Sequence, residues 1–126
     1  MRGFSVVEVL VVLAILALLA SIMVPRYAQK REQTYVTAMT SDLRNLATAQ
    51  EAYYRVDGAY GYAADKTELE FAESAGVTVS ILEATASGWS GRATHAHTPW
   101  SCAFYFGDAA QVDPATRSGV VECARP

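Results

Sequence analysis

The stretch Gly3-Phe4-Ser5-Val6-Val7-Glu8-Val9-Leu10 opens an apolar run that continues to Val24. From Phe4 to Val24 there are 21 residues, and Glu8 is the only ionisable side chain among them. At about 1.5 Å per residue, a helix of that length reaches roughly 31 Å, one hydrocarbon thickness. A bilayer-spanning helix is the expectation, with Met1-Arg2-Gly3 in front of it. Glu8 is the anomaly, because a carboxylate in such a span costs about 2–3 kcal/mol unless a partner meets it. Arg2 lies six residues upstream, off the i, i+3 and i, i+4 spacings that bring side chains together on one helix face. In an ordinary membrane anchor the carboxylate would snorkel to the interface. A cleavable secretory signal fits poorly, since Ser21-Ile22-Met23-Val24-Pro25-Arg26 offers no small-x-small cleavage site.

The order glycine, phenylalanine, hydroxyl, two aliphatics, glutamate, then an unbroken apolar run resembles the processing signature of type IV prepilins, which pseudopilins of secretion systems share. The resemblance covers about the first 55 residues well and the remainder only as architecture. It implies cleavage by a prepilin peptidase after Gly3 and methylation of the new N-terminal amine of Phe4. It also implies that Glu8 neutralises the N-terminal ammonium of a neighbouring subunit and so sets register in a helical homopolymer. Pro25 stands where many such sequences carry a proline, and a helix bend or local loosening is expected there because proline has no N–H to offer the Ser21 carbonyl. The implied partners are other copies of the chain, the peptidase, an assembly platform with its cytoplasmic ATPase, and the membrane before assembly. The implied location is the bacterial inner membrane for the precursor, with the C-terminal domain extracytoplasmic, then a cell-surface filament.

With 126 residues, the chain has room for one domain beyond the apolar run. Net charge is −3 but unevenly spread. Residues 26–56 carry Arg26, Lys30, Arg31, Arg44 and Arg55 against Glu32, Asp42 and Glu51, a balance of +2. Residues 57–83 carry Asp57, Asp65, Glu68, Glu70, Glu73 and Glu83 against Lys66, a balance of −5. No dense basic stripe of the kind nucleic acid demands is present in the sequence. Counting cations around the span, Arg2 before it and Arg26, Lys30 and Arg31 after it, favours a cytoplasmic C-terminal domain. The resemblance and the cysteines argue for the opposite side, and we follow them. Cys102 and Cys123 read as one disulfide in an exported domain and as two buried thiols in a cytosolic one. The membrane run favours the disulfide, whose loop of about 22 residues is worth roughly 3 kcal/mol in the chain-entropy picture.

Beyond Pro25, Val36, Met39, Leu43, Leu46, Tyr53 and Val56 recur at helical spacing with Gln50 as the polar interruption, while Asp42 falls among the residues of the wet face. One long helix from about Phe4 to Asp57 follows, with Gly58 as its stop. Residues 58–76 read as an irregular connection with a short helical turn near Asp65–Leu69. From Val77 the period changes to two, giving strands at Val77–Ile81 and Trp100–Phe106, one of small residues between Gly88 and His97, and a short fourth at Ser118–Cys123. The expected fold is α+β and pilin-like, one long N-terminal α-helix packed on a three- or four-stranded antiparallel sheet. Its divisions are a leader over 1–3, a membrane and filament-core helix over 4–25, an amphipathic helix over 26–57, and a loop, sheet and disulfide-closed region over 58–126.

No catalytic constellation, glycine-rich phosphate loop or cofactor motif is visible, and an enzyme is not expected. His95 and His97 share a strand face, but a metal site needs further ligands, for which Asp108 or Asp113 are the available carboxylates. The acids of 57–83 lack the spacing of a calcium loop. The favoured expectation is a structural filament subunit. The alternatives are a minor pilin, a type II secretion pseudopilin, or a membrane-tethered extracytoplasmic binding module that never polymerises.

Overall fold

A computed structural model describes residues 3–56 and 61–126. The chain divides into two compact units, the first ending at Gln33 and the second running from Thr34 to Pro126. Helix α1, Val6–Val56, begins in the first and ends in the second. The expected stop at Gly58 lies outside the described residues. Helical structure continues through Pro25 without a break in assignment.

In the first unit the helix is long and apolar enough to cross a membrane, and the aliphatic side chains from Val6 to Val24 are exposed. In the second unit α1 covers a four-stranded antiparallel meander. Its strands are β1 (Val77–Ala84), β2 (Trp89–His95), β3 (Thr98–Phe106) and β4 (Glu122–Ala124), paired in that order. Met39, Leu43 and Leu46 are wholly buried against Val79, Trp89, Ala93 and Cys102. Each fully buried side chain of this size contributes about 1.5–3 kcal/mol from its removal from water.

Two sequence expectations need correction. Asp42 is not on a wet face but buried, because its carboxylate accepts from both the N–H and the hydroxyl of Ser74, each at 2.7 Å. Val56 does not join the apolar row; it is 82% exposed. The strand expected between Gly88 and His97 is present as β2, and beside its small residues it carries Trp89, the largest buried side chain, whose ring packs 4.8 Å from that of Phe104.

The sheet also has a second cover that period-two patterning does not reveal. Cys102, Ala103 and Phe104 are buried in succession, which requires both faces to be shielded. Segment 107–121 lies against the outer face, with Tyr105 donating to the Thr116 carbonyl at 2.9 Å and Arg92 to that of Asp113 at 3.0 Å. Ala109 and Ala115 are buried there. The fourth strand is shorter than expected because Gly119 turns with φ +79° and donates to the Tyr105 carbonyl, leaving only Glu122–Ala124 to pair.

Candidate functional site

The N-terminal end of α1 holds Phe4 and Glu8, two of the residues singled out from the sequence. Ser5 and Glu8 form a reciprocal cap: the Glu8 N–H donates to Ser5 Oγ at 3.2 Å, and the Ser5 N–H donates to Glu8 Oε2 at 3.1 Å. Both contacts satisfy amides that a helix start leaves without partners. The acid also lies in the first turn, where the helix dipole favours negative charge. Glu8 therefore starts the helix as well as charging it, a role the Ser-x-x-Glu spacing signals and the reading of Glu8 as a membrane acid overlooks. Around this cap, Phe4 is 85% exposed, and the helix offers an apolar surface with one carboxylate and no chemistry of its own.

The second grouping is the C-terminal closure. Cys102 and Cys123 are bonded, and they sit opposite each other on β3 and β4. Thr40 on α1 lies against the bridge, its Oγ1 3.4 Å from Cys123 Sγ and its hydroxyl donating to the Val36 carbonyl at 3.0 Å. The bond thus ties the edge strand to the core beside the helix.

The connection over 61–76 is fixed by three polar contacts. Gln50 is fully buried and pairs with the backbone of Ala63, while Asp42 holds Ser74. The Lys66 ammonium and Glu73 carboxylate form an ion pair on the outer edge of β1. There Lys66 donates to the Val79 carbonyl at 2.8 Å and the Val79 N–H donates to Glu73 at 3.2 Å. Partial burial works against the charged form of Glu73, but the Lys66 hydrogen bond and the Val79 N–H outweigh it and hold the carboxyl below its ordinary value. The expected helical turn is present as a single 3-10 turn, Lys66–Glu68, capped by Asp65. Nearby, burial and the Glu51 carboxylate push the Tyr62 phenol up to about 12.

His95 and His97 lie close, with ring centroids 5.6 Å apart, but they serve the hairpin between β2 and β3. His95 Nδ1 accepts from the His97 N–H at 3.0 Å, and Tyr35 stacks on the His95 ring at 4.2 Å. Asp108 is engaged by Thr85 and Ser87. Among the described residues no group of three or more His, Cys, Asp or Glu side chains is placed to hold a metal ion.

Comparison with known proteins singles out the same N-terminal stretch. Residues 1–24 match the prokaryotic N-terminal methylation motif. The chain is 31% identical over 107 residues to the type IV wide pilus major component PilA4 of Thermus thermophilus, across 81% of this chain and 80% of that protein. It is 37% identical over 51 residues to a fimbrial protein of Pseudomonas aeruginosa, across 40% of this chain and 33% of that one. It is also 34% identical over 58 residues to the type II secretion system core protein G of Pseudomonas aeruginosa, across 46% of this chain and 41% of that one. In these last two cases the match spans less than half of either partner.

Proposed function

Because the chain belongs to the type IV pilin and pseudopilin family, we propose that it is the structural subunit of a type IV pilus-like filament. The family is one of structural subunits, not of enzymes. The observation that carries the proposal is the exposed apolar surface of α1 from Val6 to Val24, broken by the single carboxylate of Glu8. Leaving that surface in water is unfavourable at about 25 cal/mol per Å2, so it is covered first by lipid and then by the helices of other copies.

On this reading the chain is made as a membrane precursor with residues 34–126 outside the cytoplasm. The peptidase cuts after Gly3 and the Phe4 amine is methylated. Glu8 then meets the N-terminal ammonium of a neighbouring copy. Registers that misplace it leave a buried charge unpaired, which costs several kcal/mol. Pro25 gives the helix a place to bend as copies pack. The chain has no motor motif in its sequence, so extension depends on a separate ATPase and platform.

The pilus is favoured over the pseudopilus by the extent of similarity, 107 residues against 58. The disulfide that closes the C-terminal region supports the same choice. Glu8→Ala and Glu8→Lys test the register role. Both are expected to insert in the membrane and fail to assemble, and normal filaments from both would remove Glu8 from the account.

A further inference from the structure

The C-terminal half of α1 and the connection after it enclose an open groove of about 620 Å3. Ala49, Ala52 and Val56 on the helix and Leu69 on the connection are among its apolar lining residues, and the exposed Glu68 and Glu70 line it as well. Val56 is 82% exposed, the most exposed large hydrophobic side chain described in the second unit. A shallow groove with small floor residues admits a helix closely, and an acidic lining selects what that helix carries.

The same sequence contains a segment of the opposite character. Arg26, Lys30 and Arg31 place three cations within six residues, with Glu32 as the next residue. Arg26 and Lys30 are spaced i, i+4, as are Tyr27 and Arg31, so two adjacent rows of one helix face carry the charge. Between the cations stands Tyr27, 66% exposed, with the Arg31 guanidinium 5.8 Å from its ring centroid. An aromatic knob flanked by cations complements an apolar floor flanked by carboxylates. The acidic lining repels phosphates of nucleic acid and anionic lipid headgroups, which leaves a basic protein helix as the fitting occupant.

On the filament reading above, we infer that this groove receives the Arg26–Arg31 turn of a second copy of the chain, with Tyr27 against Ala52, Val56 and Leu69 and the cations against Glu68 and Glu70. The contact lies outside the lipid-spanning run and adds to the Glu8 pairing rather than replacing it. Its charged part is exposed, so it weakens as salt rises.

Charge reversal tests the contact in cells in which the full chain is the sole subunit. Glu68→Lys with Glu70→Lys, and separately Arg26→Glu with Lys30→Glu, are each expected to lower the yield of sheared surface filaments about tenfold, with the membrane-inserted pool unchanged. The variant carrying all four substitutions restores opposite charges across the contact and is expected to recover filaments. Doubles that assemble like wild type, or a fourfold variant that rescues nothing, overturn the contact. A crosslink covers the case in which a charge variant fails to fold or insert. A Tyr27→Cys chain is co-assembled with an epitope-tagged Leu69→Cys chain, and a disulfide-linked tagged heterodimer is expected in filaments. Its absence from intact filaments overturns the contact, whereas a wild-type chain that forms no filaments at all overturns the filament reading beneath it.

Discussion

Gln50 and Ala63 hold each other through a reciprocal pair of hydrogen bonds. The Gln50 side-chain amide donates to the Ala63 carbonyl and the Ala63 N–H donates back to Gln50 Oε1, both at 2.9 Å. Gln50 is wholly buried and Ala63 nearly so, so water cannot replace either bond. The polar interruption in the helix's apolar row is thereby the peg that fixes the start of the connection.

Replacing Gln50 by Ala or by Leu leaves a buried N–H and a buried carbonyl without partners. Each costs about 1–3 kcal/mol, so both variants are expected to lose roughly 2–6 kcal/mol in denaturant unfolding of the detergent-solubilised chain. Leu keeps most of the volume. A Leu variant as stable as wild type would show that packing, not the bond pair, holds the connection.

Opening the Cys102–Cys123 bridge removes the covalent tie between β3 and β4. Cys102→Ser with Cys123→Ser is expected to cost about 2–4 kcal/mol, in the range of native disulfides. The loss is read as a lower unfolding midpoint under non-reducing conditions. With β4 pairing through only three residues, hydrogen exchange should rise first at Glu122–Ala124.

Acid is expected to weaken the second unit through carboxylates held below their ordinary values. Glu73 is depressed by Lys66 and the Val79 N–H against the opposing effect of burial. Asp65 is lowered by the Thr67 N–H, Asp108 by the Thr85 hydroxyl, and Glu122 by the Thr116 N–H. A depressed carboxylate contributes stability that is present above its unfolded value, 4.5 for Glu73, and is lost as pH falls through the folded one. The melting temperature should therefore be flat near neutrality and fall below about pH 4.5. Glu73→Gln should lower it at neutral pH and make the acid slope shallower. An unchanged slope would exclude the Lys66–Glu73 pair as a contributor.

The parts of the fold that depend on local pattern were legible in the sequence, and those that depend on distant partners were not. The row Met39, Leu43, Leu46 announces its own burial by spacing, and the alternation in Val77–Ile81 does the same for β1. Asp42 carries no local sign of burial, because what makes burial tolerable is Ser74, 32 residues away. The outer cover of the sheet is likewise invisible to periodicity, since Thr116 and Asp113 reach Tyr105 and Arg92 only after the chain has turned back. Val56 has an apolar side chain at helical spacing, yet spacing does not say where the sheet beneath a helix ends. At the N-terminus the Ser5–Glu8 cap was legible as a spacing and was obscured by the stronger signal of an acid in an apolar run.

The most direct test of the whole account is the intact mass of the native chain isolated from its cell envelope. A subunit prepared for assembly is expected to lack Met1-Arg2-Gly3 and to carry one methyl group on the Phe4 amine. A native chain that retains its first three residues, with an unmodified amine, would contradict the account at its root.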